Sequence, residues 1–234
     1  MDILYLVKKT AKNEELKYSL RSLSNIEHNK VFIVGDLPDF INPETVFYIP
    51  APTLQDRYET TTNHLKIACS NNNISEDFIL MNDDFFFLDK ITYEELNLNR
   101  GLMKNVVKWY HENHTTLSRY DNLVEQAYNQ LKQLDFKEPI SFELHTPIII
   151  NKSKFNAILP KINSLALHCC KRSLYGNYFI KDSKTIKDVK VLASTNFDPN
   201  NLLHPKLMSV SDFAFDKIES FLQEKFSDKS IYEL

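Results

Sequence analysis

Glycine is unusually rare in this sequence. The 234 residues include only 3 glycines, and no glycine-rich phosphate loop of the dinucleotide-binding or P-loop kind occurs. Those loops depend on closely spaced glycines, which let backbone N–H groups approach a phosphate. Any phosphate that this protein binds must therefore be held by side chains or by a metal ion.

Cysteines and long apolar runs are also few. Cys69, Cys169 and Cys170 lack CxxC spacing, and two of them are adjacent, where a disulfide would be strained. We expect them to be reduced, buried thiols. No segment approaches the ~20 apolar residues that a membrane helix needs, and the N-terminal apolar run is too short for a secretory signal. We therefore expect no membrane span, no export sequence and a cytoplasmic location.

The charge is small and slightly negative. A formal net charge of −3 argues against a protein that binds nucleic acid over its whole surface, because such binding requires many Lys and Arg contacts to phosphate. This charge does not argue against a local basic cleft. A nucleic-acid acceptor therefore stays open.

Short apolar runs alternate with helical patterns along the chain. The length suits one elaborated domain, residues 1–234. The runs that predict strands are 3–7, 31–34, 46–49, 78–81 and 148–150, and the periodic segments that predict helices are 14–24, 58–71, 119–134, 153–158 and 211–226. This alternation predicts an α/β fold with a mixed, mostly parallel sheet, helices on both faces and a helical C-terminal extension. Ligands of such sheets bind beyond the carboxyl ends of the strands.

The strongest local signal is FILMNDDFFFLD, residues 78–89, where a fully apolar strand stops at Asn82, Asp83 and Asp84. Mg²⁺ and Mn²⁺ prefer oxygen ligands, and two adjacent carboxylates supply them. In an extended segment neighbouring side chains point to opposite faces, so one aspartate meets the metal and the other orients it or binds the donor. The alternative is a solvated turn in which these side chains only bond the backbone.

The same stretch carries a resemblance to a known family. The segments ELKYSLRSL (15–23), VFIVGD (31–36), NHLKIA (63–68) and FILMNDDFFFLDKI (78–91) resemble the second conserved region of the Stealth family. ELHTPIIINK (143–152) looks like the His-Pro segment of the family's third region, and RSLYGNYF (172–179) and DVK (188–190) are similar to motifs of its short phage or bacterial members. The Trp-Val-Asp-Gly core that opens larger members is absent, because this chain begins DILYLVKK.

Stealth proteins are sugar-1-phosphate transferases of capsule and surface polysaccharide synthesis, related in fold to GT-A nucleotide-sugar glycosyltransferases. The resemblance implies a GT-A-like (Rossmann-like) fold, a nucleotide-sugar donor that we expect to be UDP-linked, and Mg²⁺ or Mn²⁺ held by Asp83 and Asp84. The missing opening motif weakens the implication that phosphate is transferred with the sugar.

Further candidate residues lie outside the acidic strand end. His145 suits a general base or a cation beside a leaving phosphate, and Arg172 suits a phosphoryl group, although each is equally explained by packing or surface pairing. The predicted catalytic residues are Asp84, His145 and Arg172, and the predicted donor-binding residues are Arg21, Asn82, Asp83, Asp188 and Lys190. Arg21, Asp188 and Lys190 have the alternative of ordinary surface ion pairs.

Three function classes remain open at this point. The first is a metal-dependent glycosyltransferase that moves a sugar to a glycan or another acceptor. The second is Stealth-like transfer of a sugar 1-phosphate, and the third is a non-catalytic carbohydrate-binding module. The sequence does not identify the sugar, the acceptor, the stereochemical outcome or the oligomeric state.

The acidic strand end predicts a metal-dependent donor affinity. We expect a UDP-sugar to bind about tenfold or more tightly with Mg²⁺ or Mn²⁺ than with EDTA, a difference of ~1.4 kcal/mol in binding free energy. Isothermal titration calorimetry measures this directly. Equal affinity in both solutions would remove the cation from the donor site and favour a clamp of cationic side chains.

Overall fold

The computed structural model describes residues 1–9 and 13–234. The strands are β1 (Asp2–Val7), β2 (Val31–Gly35), β3 (Phe47–Pro50), β4 (Asp77–Asn82), β5 (Phe85–Phe87), β6 (Leu98–Asn99), β7 (Ile148–Asn151), β8 (Lys184–Thr185), β9 (Lys190–Val191) and β10 (Leu207–Val210). The helices are α1 (Glu14–Ser22), α2 (Arg57–Cys69), α3 (Met103–Asn113), α4 (Arg119–Gln133), α5 (Lys152–Ile158), α6 (Leu165–Cys169), α7 (Lys171–Phe179) and α8 (Phe215–Lys225).

The central sheet has the strand order β3-β2-β1-β4-β7. The first four strands are parallel, and β7 runs antiparallel to β4 with Leu80 opposite Ile148. Because β4 and β7 run in opposite directions, the start of β7 lies at the edge where β4 ends. The predicted mixed, mostly parallel sheet is confirmed.

Alternation along the buried strands separates two apolar layers. In β1, Leu4 and Leu6 belong to a core that includes residues of α2 and α4 to α7, whereas Ile3, Tyr5 and Val7 belong to a second core that includes residues of α1 and β5. A strand buried on both faces reads as a continuous apolar run, which is what residues 3–7 show. The prediction of helices on both faces is confirmed.

A second sheet has three strands in the order β5-β10-β9. Its β10 is antiparallel to β5 and parallel to β9, so that Phe85, Ser209 and Lys190 stand side by side across the three strands. Helix α8 packs on this sheet through residues such as Ile218 and Leu222. The predicted C-terminal helical extension is confirmed, although its α-helix begins at Phe215 rather than Ser211.

Helices α3, α6 and α7 were not predicted. The region that contains α3 shows no clear period in the sequence, and α7 buries polar Lys171 and Ser173 beside Leu174 and Tyr175, which hides its apolar face. No helix in the described part of the chain is long and apolar enough to cross a membrane.

Arg21 holds the C-terminus to the fold. From the last turn of α1, its Nε and Nη2 atoms donate to the two carboxylate oxygens of Glu233 at 2.8 and 2.7 Å, and its Nη1 donates to the Phe226 carbonyl at 2.9 Å. The side chains of the pair are only 12% and 3% exposed. The donor-binding role predicted for Arg21 is therefore not what the structure gives it, since its three nitrogens already have protein partners.

Arg21→Ala should consequently cost stability rather than donor affinity. We expect the free energy of unfolding to fall by about 3 kcal/mol, because the substitution leaves the Glu233 carboxylate buried without its partner. Urea denaturation measures this. The matched control is Lys17→Ala, which breaks the more exposed Lys17–Glu14 pair on the same helix and should change stability by less than about 0.5 kcal/mol. A folded Arg21→Ala protein with normal stability and weakened donor binding would contradict the assignment.

Candidate active site

Polar side chains from distant parts of the sequence meet at one edge of the central sheet. Asn82 ends β4 and is followed directly by Asp83 and Asp84, all three partly exposed. His145 lies three residues before β7, and the antiparallel pairing of β7 with β4 brings it to the same edge. The topology therefore joins two predicted segments that are far apart in the sequence.

Asp83 is enclosed by protein although it retains some exposure. Its Oδ2 accepts a hydrogen bond from the Nδ2 of Asn13 at 3.2 Å. Burial raises the pKa of the Asp83 carboxyl to about 7, and the negative charge of the adjacent Asp84 acts in the same direction. A nearby cation would relieve both effects, because it favours the ionised carboxylate.

Asp84 is held by the second sheet. Its Oδ2 accepts from the Lys190 ammonium at 3.2 Å and from the Ser209 hydroxyl at 3.0 Å. Lys190 and Ser209 are paired neighbours on β9 and β10, and Ser209 faces Phe85, the residue after Asp84. The strand register thus delivers an ammonium and a hydroxyl to one carboxylate oxygen.

His145 and Asp188 form a hydrogen-bonded pair. The His145 Nδ1 lies 2.7 Å from one Asp188 oxygen, and the backbone N–H groups of His145 and Val189 donate to the other at 3.1 and 2.9 Å. Burial alone would raise the pKa of Asp188, but the hydrogen bonds and charge of His145, followed by the charge of Arg100, lower it to about 2. An ionised carboxylate only accepts, so Nδ1 carries the hydrogen, and in the neutral form of the imidazole Nε2 is the nitrogen that accepts.

Arg172 binds the backbone next to His145. Its Nη2 donates to the carbonyl of Thr146 at 2.6 Å, and its buried Nε has no hydrogen-bond partner among the described residues. Burial lowers the pKa of the guanidinium, and the charge of Glu143, followed by those of Asp188 and Asp84, opposes that shift. Arg172 is therefore within electrostatic reach of both predicted carboxylates.

The structure thus brings together most of the predicted site residues. Those at the edge are Asn82, Asp83, Asp84, His145, Arg172, Asp188 and Lys190. Arg21 is not among them, because it binds the C-terminal segment.

Three residues at this edge were missed from the sequence. Asn13 caps α1 and accepts from the Leu16 N–H, a position that its place before Glu14 and Glu15 signals. Burial raises the pKa of Glu15, and the charges of Asp212 and Asp84 act in the same direction. Glu15 is therefore a third carboxylate near Asp83 and Asp84. Ser209 carries no local signal, because only strand pairing brings it to Asp84.

The donor atoms at this edge fit a hard cation that is shared with a ligand. Within residues 1–9 and 13–234, no group of three or more His, Cys, Asp or Glu side chains is arranged to hold a metal ion. Asp83 and Asp84 offer carboxylate oxygens, and Mg²⁺ is commonly bound by one or two carboxylates together with substrate phosphates. The residues therefore suit a cation whose coordination is completed by the phosphates of a ligand rather than a closed protein site.

Comparisons with known proteins give only a loose likeness. No family model matches the chain, and no curated protein matches it. Among solved structures, the galactosyltransferase LgtC in complex with donor and acceptor sugar analogues is 10% identical, with a TM-score of 0.48 over 99% of this chain and 97% of that chain. An active-site mutant of LgtC is 10% identical, with a TM-score of 0.47 over 99% and 98%. These likenesses are too weak to carry a donor, a metal or a reaction over to this chain.

The Asp188–His145 pair predicts a stability difference that depends on pH. The pKa of Asp188 falls from an ordinary 3.8 to about 2 in the folded protein, so its charge stabilises the fold above about pH 4 and loses that effect as pH falls towards 2. Asp188→Asn should lower the free energy of unfolding by about 2 kcal/mol at pH 7, and this deficit should shrink as pH falls from about 4 to 3.

Urea denaturation between pH 7 and pH 3 measures this deficit. The matched control is Asp228→Asn at an exposed position, which should change stability by less than about 0.5 kcal/mol. A deficit for Asp188→Asn that stays constant over the whole range would show that the ionised carboxylate is not what stabilises the fold.

Proposed function

We propose that this protein is a GT-A-like transferase that moves a sugar from a nucleotide-activated donor, UDP-linked, to a hydroxyl group of a glycan or another acceptor. The supporting observation is the convergence, at one edge of a mostly parallel sheet, of an acidic pair, two cationic side chains and a His–Asp pair. Such an edge is where ligands of α/β sheets bind.

The donor diphosphate is held by side chains in this proposal. The leaving diphosphate gains negative charge, and the chain has no glycine-rich loop to offer backbone donors. Lys190 and Arg172 are two of the cations near this edge, and Arg172 has a buried Nε without a protein partner among the described residues. Asp83 and Asp84 would hold Mg²⁺ or Mn²⁺, which supplies further charge neutralisation on the diphosphate when bound.

His145 is the proposed proton acceptor. The acceptor oxygen forms a bond to the anomeric carbon, the bond from that carbon to the diphosphate breaks, and the nucleoside diphosphate leaves with the electron pair. His145 takes the hydroxyl proton at Nε2, because its Nδ1 is engaged by Asp188. Asp188 stays ionised and stabilises the imidazolium that forms. The His145 side chain is 33% exposed, so the imidazole is not sealed off from a substrate.

Sugar-1-phosphate transfer is the second candidate. The resemblance of residues 78–91 and 143–152 to Stealth regions favours it, and both segments lie at the same edge. In that reaction the acceptor oxygen attacks phosphorus and a nucleoside monophosphate leaves, while His145 takes the same proton. The released nucleotide separates the two reactions, since glycosyl transfer yields UDP and sugar-phosphate transfer yields UMP.

The decisive experiment combines an active-site variant with identification of the released nucleotide. Asp84→Asn keeps the shape of the side chain and removes its charge, so we expect turnover to fall by about 10²-fold or more. The measurement is chromatography of nucleotides after incubation with a panel of UDP-sugars and glycan acceptors. Circular dichroism establishes that the variant is folded.

Asp89→Asn serves as the control, because Asp89 lies five residues further along the chain and is exposed. It should retain normal turnover. Full activity in a folded Asp84→Asn protein would refute the site. Glycan binding by the wild type without any nucleotide release would instead favour a carbohydrate-binding module.

A further inference from the structure

Lys190 forms an ion pair with Asp84, a carboxylate that a divalent cation would also bind. Its Nζ lies 3.2 Å from Asp84 Oδ2, and the two side chains are 20% and 14% exposed. Charges in a partly buried site are screened less by solvent than charges on the surface, so an ammonium and a metal ion on the same carboxylate would repel each other strongly. The ion pair and metal binding at Asp84 are therefore in competition.

The surroundings favour movement of Lys190 over movement of Asp84. Asp84 Oδ2 also accepts from the Ser209 hydroxyl at 3.0 Å, and Ser209 is fully buried in β10. That second bond holds the carboxylate in place when the ammonium leaves. Lysine carries its charge at the end of a flexible four-carbon stem, which lets the ammonium change partner while the β9 backbone stays fixed.

We propose that Lys190 is an exchangeable counter-ion: it neutralises Asp84 in the free enzyme, yields that carboxylate to a divalent cation, and then binds the donor diphosphate. This inference rests on the proposed function, because the new partner of Lys190 is the nucleoside diphosphate of the donor. It adds a coupling between the two ligands: the cation displaces Lys190 from Asp84, and the donor diphosphate then gives the displaced ammonium a new partner.

The proposal singles out Lys190 among the lysines near the site. Lys8 pairs with Asp212 at 3.0 Å, and the side chains of this pair are 57% and 71% exposed. Replacing Lys8 would therefore not free a carboxylate oxygen of Asp83 or Asp84 for a metal ion. The hydrogen bond from Lys8 and, to a smaller extent, the charge of Lys190 lower the pKa of Asp212, so Asp212 is a carboxylate within electrostatic reach of Lys190.

Calorimetric titrations of the full chain test the exchange with two probes, Mn²⁺ alone and UDP at saturating Mn²⁺. Lys190→Met removes the ammonium and retains most of the stem. We expect it to bind Mn²⁺ alone about tenfold more tightly, since competition for Asp84 is lost, and to bind UDP at saturating Mn²⁺ about tenfold more weakly, since a diphosphate contact is lost. Opposite effects on the two probes are the signature of a side chain that changes partner.

Two control variants make this signature specific. Lys190→Arg keeps the charge and should bind Mn²⁺ alone within about threefold of the wild type. Lys206→Met makes the same charge change at a lysine that pairs with Glu95, just before β10, and should leave both affinities within about twofold. Thermal melting establishes that each variant is folded.

Several outcomes would overturn the exchange. If Lys190→Met leaves Mn²⁺ affinity unchanged or weakens it, or if no variant binds Mn²⁺, Lys190 does not compete for Asp84. If it tightens both probes, Lys190 does not move to the diphosphate. Nucleotide release by the wild type is measured in parallel. Turnover by the wild type without the opposite effects of Lys190→Met would refute the exchange alone. Absence of both UDP binding and turnover would refute the proposed function.

Discussion

The antiparallel pairing of β7 with β4 determines where the later segments of the chain lie. Because Leu80 stands opposite Ile148, the three residues before β7 reach the edge where Asp83 and Asp84 follow β4. Parallel pairing would place the start of β7 at the opposite edge of the sheet, together with His145. Arg172 and Asp188 both bind this segment, so their positions depend on the same pairing.

The second sheet applies a further constraint to the acidic pair. Phe85 continues from Asp84 directly into β5, and the register of β5, β10 and β9 then aligns Ser209 and Lys190 beside it. Asp84 is consequently fixed from two sides, by the end of β4 and by the strand register. A carboxylate fixed in this way requires little reorganisation when a ligand arrives, which is the condition for effective electrostatic stabilisation of a transition state.

The scarcity of glycine accounts for the character of the site. Where a glycine-rich loop would offer backbone N–H groups to a phosphate, this chain brings together Lys190 and Arg172 from different elements. Cations near carboxylates have two uses, since they can stabilise the fold or bind an anion. Arg21 illustrates the first use, because Glu233 and the Phe226 carbonyl take all of its donor nitrogens.

Local pattern by itself determined the strands of the central sheet, five of the helices and one edge of the site. Apolar runs located each end of β1, β2, β3, β4 and β7 to within one residue, and the abrupt change from apolar to acidic residues after β4 identified Asp83 and Asp84. These features can be predicted because a strand buried on both faces consists of consecutive apolar residues, and the first polar residues after them mark where the burial ends. Helix α7 was not predicted, because its buried polar residues obscure the helical period.

Only the tertiary structure decided the partners of the charged residues. Nothing near Arg21 in the sequence indicates Glu233, and nothing near Asp84 indicates Lys190 or Ser209, because these contacts join residues more than 100 positions apart. A charged side chain takes the partner that the fold places within about 3 Å. That choice depends on strand order and register, which are set by burial over the whole chain and are not recorded in any short segment of it.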